Sequence, residues 1–307
     1  MPERQLRWMK LDNAAKIYPA ARRRNWSNIF RLSITLDEDI DPVVLQAALD
    51  VTIKRFPSIA VRVRTGMFWY YLEEIEKAPQ VQSEHAYPLT HMPFDDIRRC
   101  AFRVLYFRGR IAVEFFHAIA DGNSGLIFLK SLSAEYLEQK RGLQIPFEKG
   151  VFDRREPPRE CELADDFPKY AGRVSAGRGE RTAFQLTGLP EQGGYKNIIV
   201  GEMSVKDVLD LAHGYGVTIT ELVVSVMIAS FARLQDERVP KRRQRPLKVL
   251  IPTNLRRMFP SETLRNFVLY ITSAITALKR YWQRCIIRCR WSFRQSAWRL
   301  AYAPTSR

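Results

Sequence analysis

Cysteine and histidine are scarce in this chain, four of each in 307 residues. Cys100, Cys161, Cys285 and Cys289 show no C-x-x-C spacing, which argues against a disulfide scaffold or a zinc ribbon and for a reduced compartment. His85, His91 and His213 have no acidic or cysteine neighbours at ligand spacing, so no metal is expected. No apolar run is long enough to cross a bilayer, and Met1–Lys10 is charged and has no apolar core of a secretion signal. A cytoplasmic protein without a transmembrane segment is expected. Acid is missing from residues 271–307, where eight basic residues and three of the six tryptophans collect. Half of the net charge of +16 therefore sits in one terminal stretch. Charge is spread evenly before it, so a basic nucleic-acid or membrane-surface binder is the weakest reading and no nucleic-acid partner is expected.

What is present is the composition of a folded protein, 46% hydrophobic and 11% aromatic. Phe30, Leu32, Ile34 and Leu36 alternate with polar residues, which predicts a half-buried strand. Asp41-Pro42 reads as a cap and first turn, followed by a helix with Leu45, Leu49, Ile53 and Phe56 on one stripe. Hairpins are predicted around Thr65-Gly66, with strands Ile59–Arg64 and Met67–Ile75, and around Arg108-Gly109. Residues 144–195 have little periodicity and read as a crossover. A strand over Ile198–Met203 follows, then a helix capped by Ser204, a second apolar helix from Thr218, and strands at Leu247–Pro252 and Phe267–Ile271. The expected organisation is α+β, with an N-terminal subdomain (1–145), a crossover (146–196), a partial second subdomain (197–270) and an atypical tail (271–307).

The chemistry concentrates in His117-Ala118-Ile119-Ala120-Asp121-Gly122. The strand Arg110–His117 ends on the histidine, and a helix opens just beyond, after Asn123-Ser124. An imidazole at a strand mouth can take a proton from an alcohol or amine near neutral pH. A core histidine satisfied by a backbone carbonyl is the plainer reading of the same residue. For Asp121 the plainer reading is an N-terminal helix cap.

Further segments converge with this motif: Leu11-Asp12-Asn13-Ala14-Ala15-Lys16-Ile17-Tyr18-Pro19, Arg55-Phe56-Pro57-Ser58, Phe68-Trp69-Tyr70-Tyr71-Leu72, Pro252-Thr253-Asn254-Leu255-Arg256 and Leu264-Arg265-Asn266-Phe267. Together they resemble the HxxxD acyltransferases of the chloramphenicol-acetyltransferase-like superfamily, nearest to the bacterial alcohol acetyltransferase-like group. The resemblance spans about Leu11 to Tyr270. It implies a two-layer α+β sandwich of two related subdomains. His117 would be the general base that deprotonates an acceptor attacking an acyl thioester. Acyl-CoA, acetyl-CoA first, would be the co-substrate, a small alcohol the acceptor, and no bound cofactor is needed. Asp121 would be structural and paired with an arginine, for which Arg62 is preferred over Arg64. Gly122 would allow a tight turn through positive φ. Asn254, Arg256 and Asn266 are candidate substrate-binding residues, with polar bonding at strand ends an equal reading. The run Lys241–Arg245 could meet the phosphates of coenzyme A, although a solvated loop is the commoner meaning.

Two departures bear on function. Condensation domains of peptide synthetases carry two adjacent histidines, and here Phe116 takes the first place, which favours a free coenzyme A ester over a carrier-bound one. After Tyr270 the resemblance stops where the composition changes, so the second subdomain is expected to be incomplete and the tail a product of a frameshift or premature end. The alternatives are thus a truncated, inactive acyltransferase fragment and a condensation-type domain acting on carrier-bound thioesters.

Overall fold

The structure is a computed structural model and describes residues 6–21, 27–170, 182–188, 191 and 196–275, with the side chains of 271–275 left aside. The remainder of the basic tail lies outside the described residues. The chain divides into two compact units that interleave in sequence. The first comprises Met1–Lys169, Pro190–Lys196 and Asn254–Val268, and the second Tyr170–Leu189, Asn197–Thr253 and Leu269–Arg307.

The first unit is built on two sheets and two long helices. β1 (Trp8–Lys10), β4 (Tyr70–Glu74) and β3 (Val61–Thr65) form one sheet in that order. The other runs β2 (Ile29–Thr35), β7 (Arg110–Phe116), β6 (Phe102–Phe107), β5 (Gln82–Ser83), all antiparallel except the β5–β6 pair. Between β2 and β3 lies α2 (Pro42–Arg55), and α4 (Gly122–Arg141) follows β7 directly. Short helices α1 (Ile17–Ala20), α3 (Phe94–Ile97), α5 (Glu160–Leu163) and α6 (Phe167–Tyr170) occupy the connections.

The long helices start where local chemistry dictates. The Asp41 carboxylate accepts from the backbone N–H of Val43 and Val44, with Pro42 in the first turn, where its missing N–H costs nothing. α4 ends at Gly142, whose φ of 65° suits a residue without Cβ. α2 turns Leu45, Ala48, Leu49 and Ile53 inward against α4, which presents Phe128, Leu129, Leu132 and Tyr136. Phe56, Phe102, Phe115 and Phe128 pack edge to face or offset beneath them. Each such ring contributes roughly 1.5–3 kcal/mol on burial. On its other face the sheet carries Glu114, in register between Arg31 of β2 and Arg103 of β6, and both guanidiniums bond it at 2.9 Å.

The second unit contains α7 (Val205–Gly214), α8 (Ile219–Arg238) and the pair β8 (Leu247–Asn254) with β9 (Val268–Ile275). Thr218 and Glu221 close a reciprocal capping box at the start of α8. Val224 and Ile228 of α8 pack with Leu247 of β8.

Two expectations fail. Ile198–Met203 forms no strand, because no described strand pairs with it, and Ile199 and Val200 stay exposed. Met67–Trp69 belongs to the turn between β3 and β4, closed by Gly66 N–H donating to the Trp69 carbonyl at 2.7 Å, rather than to a strand.

The β6–β7 turn is held against the end of β2, where Leu36 N–H donates to the Gly109 carbonyl at 2.7 Å. A Cβ on Gly109 would stand 2.4 Å from the Leu36 carbonyl oxygen, a backbone atom that cannot step aside alone. Gly109→Ala is therefore expected to cost about 1–3 kcal/mol in urea unfolding. A value near zero would show that the turn re-forms without strain.

Candidate active site

β7 delivers His117 into a turn immediately before α4, and the backbone N–H of His117 donates to the Asn28 carbonyl at 2.9 Å. The imidazole lies flat against Tyr18, with ring centroids 4.5 Å apart and planes 8° from parallel, while Phe30 closes a second side at 4.8 Å. Its Nδ1 is buried and has no hydrogen-bond partner among the described residues. Burial pushes the imidazole below its ordinary 6.5, opposed by its own backbone, Asp121, Asn266 and the Ala120 backbone. The ring is thus a neutral base at pH 7.

Four residues on, Asp121 is 1% exposed and fully committed. Its Oδ1 caps α4, accepting from Ser124 N–H and Ser124 Oγ, both at 2.9 Å. Its Oδ2 accepts from Arg256 Nη1 at 2.6 Å and from Phe267 N–H at 3.0 Å. Arg256 spends its remaining donors on the Thr263 carbonyl (3.0 and 2.7 Å), the Arg265 carbonyl (2.7 Å), Ser124 Oγ (3.2 Å) and Asn254 Oδ1 (3.3 Å). Carboxylate, guanidinium and two loops thereby lock the turn that carries His117.

This arrangement corrects several expectations. The partner of Asp121 is Arg256, not Arg62. Arg62 faces Glu73 directly across the β3–β4 ladder, and its Nε donates to that carboxylate at 2.6 Å, with Arg64 on the same group. Arg256, expected at substrate, has its guanidinium donors taken up internally. Asn254 caps the turn Leu255–Arg257, its Oδ1 accepting from Arg256 N–H at 3.1 Å. Gly122 opens α4 with no left-handed φ, and a Cβ there would meet nothing within 4 Å, so no tight turn demands glycine. Asn266 is buried beside His117. The basic run begins with an exposed turn, Lys241–Arg243, in the second unit.

One residue of the Leu11–Pro19 segment carries more than the sequence assigned to it. Asp12 is buried, accepts from Ala15 N–H at 2.7 Å, and lies 3.4 Å from Asn266 Nδ2 and 3.7 Å from Arg265 Nη2. Burial pushes its carboxyl up to about 6, against the opposing effect of Arg265. The local signal was an aspartate three residues before Ala15 at the start of a helical turn, which reads as an ordinary cap.

With these features in place, the fold can be named. The chain has the chloramphenicol-acetyltransferase-like α+β fold found in condensation domains. SgcC5 from Streptomyces globisporus superposes with a TM-score of 0.65 at 12% identity, over 94% of this chain and 73% of that one. The first condensation domain of the calcium-dependent antibiotic synthetase gives 0.60 at 14% identity, over 96% and 75%. Polyketide synthase associated protein 5 from Mycobacterium tuberculosis gives 0.59 at 15% identity, over 95% and 73%. No protein-family model and no curated protein matches the chain. Among the described residues no single helix is long and apolar enough to cross a membrane.

The site makes stability depend on pH. Between its unfolded value of 3.8 and about 6, the Asp12 carboxyl holds its proton more firmly in the folded state. Stability is therefore expected to fall as pH rises through this window, by about 3 kcal/mol in all, and then to level off. Urea unfolding of wild type and Asp12→Asn from pH 4 to 7 checks this. An equal pH slope in both proteins would remove Asp12 as the cause.

Proposed function

We propose that this protein is an acyltransferase that uses His117 as general base on a thioester carried by a pantetheine arm. The observation that carries the reading is a half-buried imidazole, stacked on Tyr18 and set on a turn clamped by Asp121 and Arg256. In the reaction, the His117 imidazole takes the proton of an acceptor hydroxyl or amine. The freed oxygen or nitrogen bonds to the thioester carbonyl carbon, giving a tetrahedral oxyanion. The C–S bond then breaks and the departing thiolate recovers the proton from the imidazolium. Base catalysis of this kind contributes ~10²–10⁴-fold, with the rest supplied by holding the reactants together.

The likeness to condensation domains favours a donor bound to a carrier protein. A second reading, free acyl-CoA with an alcohol acceptor, is favoured by Phe116 in place of a first histidine. Both donors present the same thioester to His117, and they differ in what surrounds the arm.

Thiol release should be followed with an acyl-phosphopantetheinyl carrier protein and with acetyl-CoA, each with and without alcohol and amine acceptors. Acceptor-dependent release that drops ~10²–10⁴-fold in His117→Ala supports the mechanism, and the faster donor decides between the readings. Equal release by wild type and His117→Ala, or no acceptor-dependent release from either donor, rejects it. The pH profile gives a separate check. Because burial lowers the folded imidazole below its ordinary 6.5, kcat/KM should reach half its plateau at a pH below 6.5. A midpoint above 6.5 would show that another group limits the reaction.

A further inference from the structure

The imidazole has an aromatic wall on two sides, and the start of β2 has a part in both. Phe30 of β2 stands at 4.8 Å, tilted by 53°, and Tyr18 of α1 lies parallel at 4.5 Å. Asn28, the residue before β2, joins Tyr18 to the end of the strand that carries His117. Its carbonyl accepts from the His117 N–H at 2.9 Å, and its side-chain Nδ2 donates to the Tyr18 carbonyl at 2.9 Å. The contacts close on themselves. They run from the His117 backbone through the Asn28 backbone and amide to the Tyr18 backbone, and return from the Tyr18 ring to the imidazole.

Asparagine suits this position for two reasons. The backbone of Asn28 is left-handed, with φ 51°, a region that asparagine and glycine enter more readily than other residues. α1 spans only Ile17–Ala20, and so short a helix leaves its last carbonyls without intrahelical partners. The Tyr18 carbonyl can only accept, so the amide must turn its NH₂ end toward it. The residue before Asn28 is anchored as well. Ser27 Oγ lies 2.7 Å from His91 Nδ1 and accepts from Met92 N–H at 2.9 Å.

The torsion that swings an imidazole about its Cβ–Cγ bond is broad, so a backbone hydrogen bond alone leaves the ring plane loose. A parallel ring 4.5 Å away restricts it, provided that ring is itself fixed. We infer that Asn28 is a positioning residue for His117. Its carbonyl holds the backbone beneath the imidazole, and its amide holds the Tyr18 ring against the imidazole face. As a statement about catalysis this rests on the reading of His117 as the base. A base kept in one plane meets the acceptor's proton along one line, and its misplacement costs rate rather than binding.

The test is the NMR spectrum of the His117 ring in wild type, Asn28→Gly, Tyr18→Leu and the double variant. With four histidines in the chain, the His117→Ala spectrum assigns the resonances. Ring protons stacked on an aromatic face are shielded by it. Glycine keeps the left-handed backbone and its carbonyl bond and deletes only the amide. Asn28→Gly is expected to move the His117 ring protons downfield, in the direction of Tyr18→Leu, and the double variant to move them no further than Tyr18→Leu alone. Unmoved ring protons in Asn28→Gly, or shifts that add in the double variant, overturn the inference. Unchanged resonances of His85 and His213 confirm that each variant is folded. If Asn28→Gly does not fold, Asn28→Asp takes its place. It keeps the side chain's size but sets an acceptor against the Tyr18 carbonyl, so the same downfield shift is expected, and its absence overturns the inference. Where acyl transfer is found, Asn28→Gly is expected to lower kcat ~10-fold at constant KM, and an unchanged kcat counts against the positioning role. The ring shifts need no substrate, so they decide for or against the Asn28 clamp even if His117→Ala leaves acyl transfer intact.

Discussion

The Asp121–Arg256 ion pair is the constraint on which the site depends. A buried carboxylate and guanidinium are costly to desolvate, and they persist because almost every donor and lone pair is used. Asp121 receives four hydrogen bonds, two from the first turn of its own helix and two from the distant segment 254–268. The pair therefore does more than hold charge. It fixes where α4 begins, where Phe267 lies and how the His117 turn is shaped between them. Removing one partner would leave the other charged and buried, a loss of about 3–5 kcal/mol concentrated at the site.

The same economy governs four other arginines. Arg31 and Arg103 bracket Glu114 on the sheet. Arg55 forms a bidentate pair with Glu162, at 2.5 and 2.8 Å, and lies over Phe152. Arg154 holds Glu135 and Glu138. These guanidiniums are internal fasteners between connections and helices. Each is offset by the carboxylate it meets, so the net charge of +16 comes from other residues, half of it from 271–307.

The local chemistry was legible in the sequence, and the long-range pairing was not. Asp41-Pro42, Thr218 with Glu221, and Arg108-Gly109 mark helix starts and a turn by effects confined to a few residues, and the structure has them there. Asp121 as a cap belongs to the same class. Its arginine does not. Arg62 was the natural choice from strand alternation, yet the glutamate directly across the ladder claims it. Arg256 lies 135 residues from Asp121, a separation no local pattern encodes. Asp12 was hidden for a related reason, because a cap-like spacing to Ala15 explained it completely until Asn266 arrived from far along the chain. Ile198–Met203 failed in the opposite sense, since a short apolar run shows that a segment could pair without showing that a partner exists.

The distance between Asp121 and Arg256 also has a bearing on how the molecule is born. A ribosome adding 5–20 residues per second makes the histidine turn roughly 7–27 seconds before it makes the arginine that locks it. During that interval α2, α4 and the β-sheet can already pack, since their contacts lie within the earlier chain. The imidazole, by contrast, sits on a turn whose carboxylate has only its helix cap for company. Assembly is thus ordered in time, scaffold first and reactive turn last, and the nascent protein passes through a stage in which it has a body but not yet a working centre.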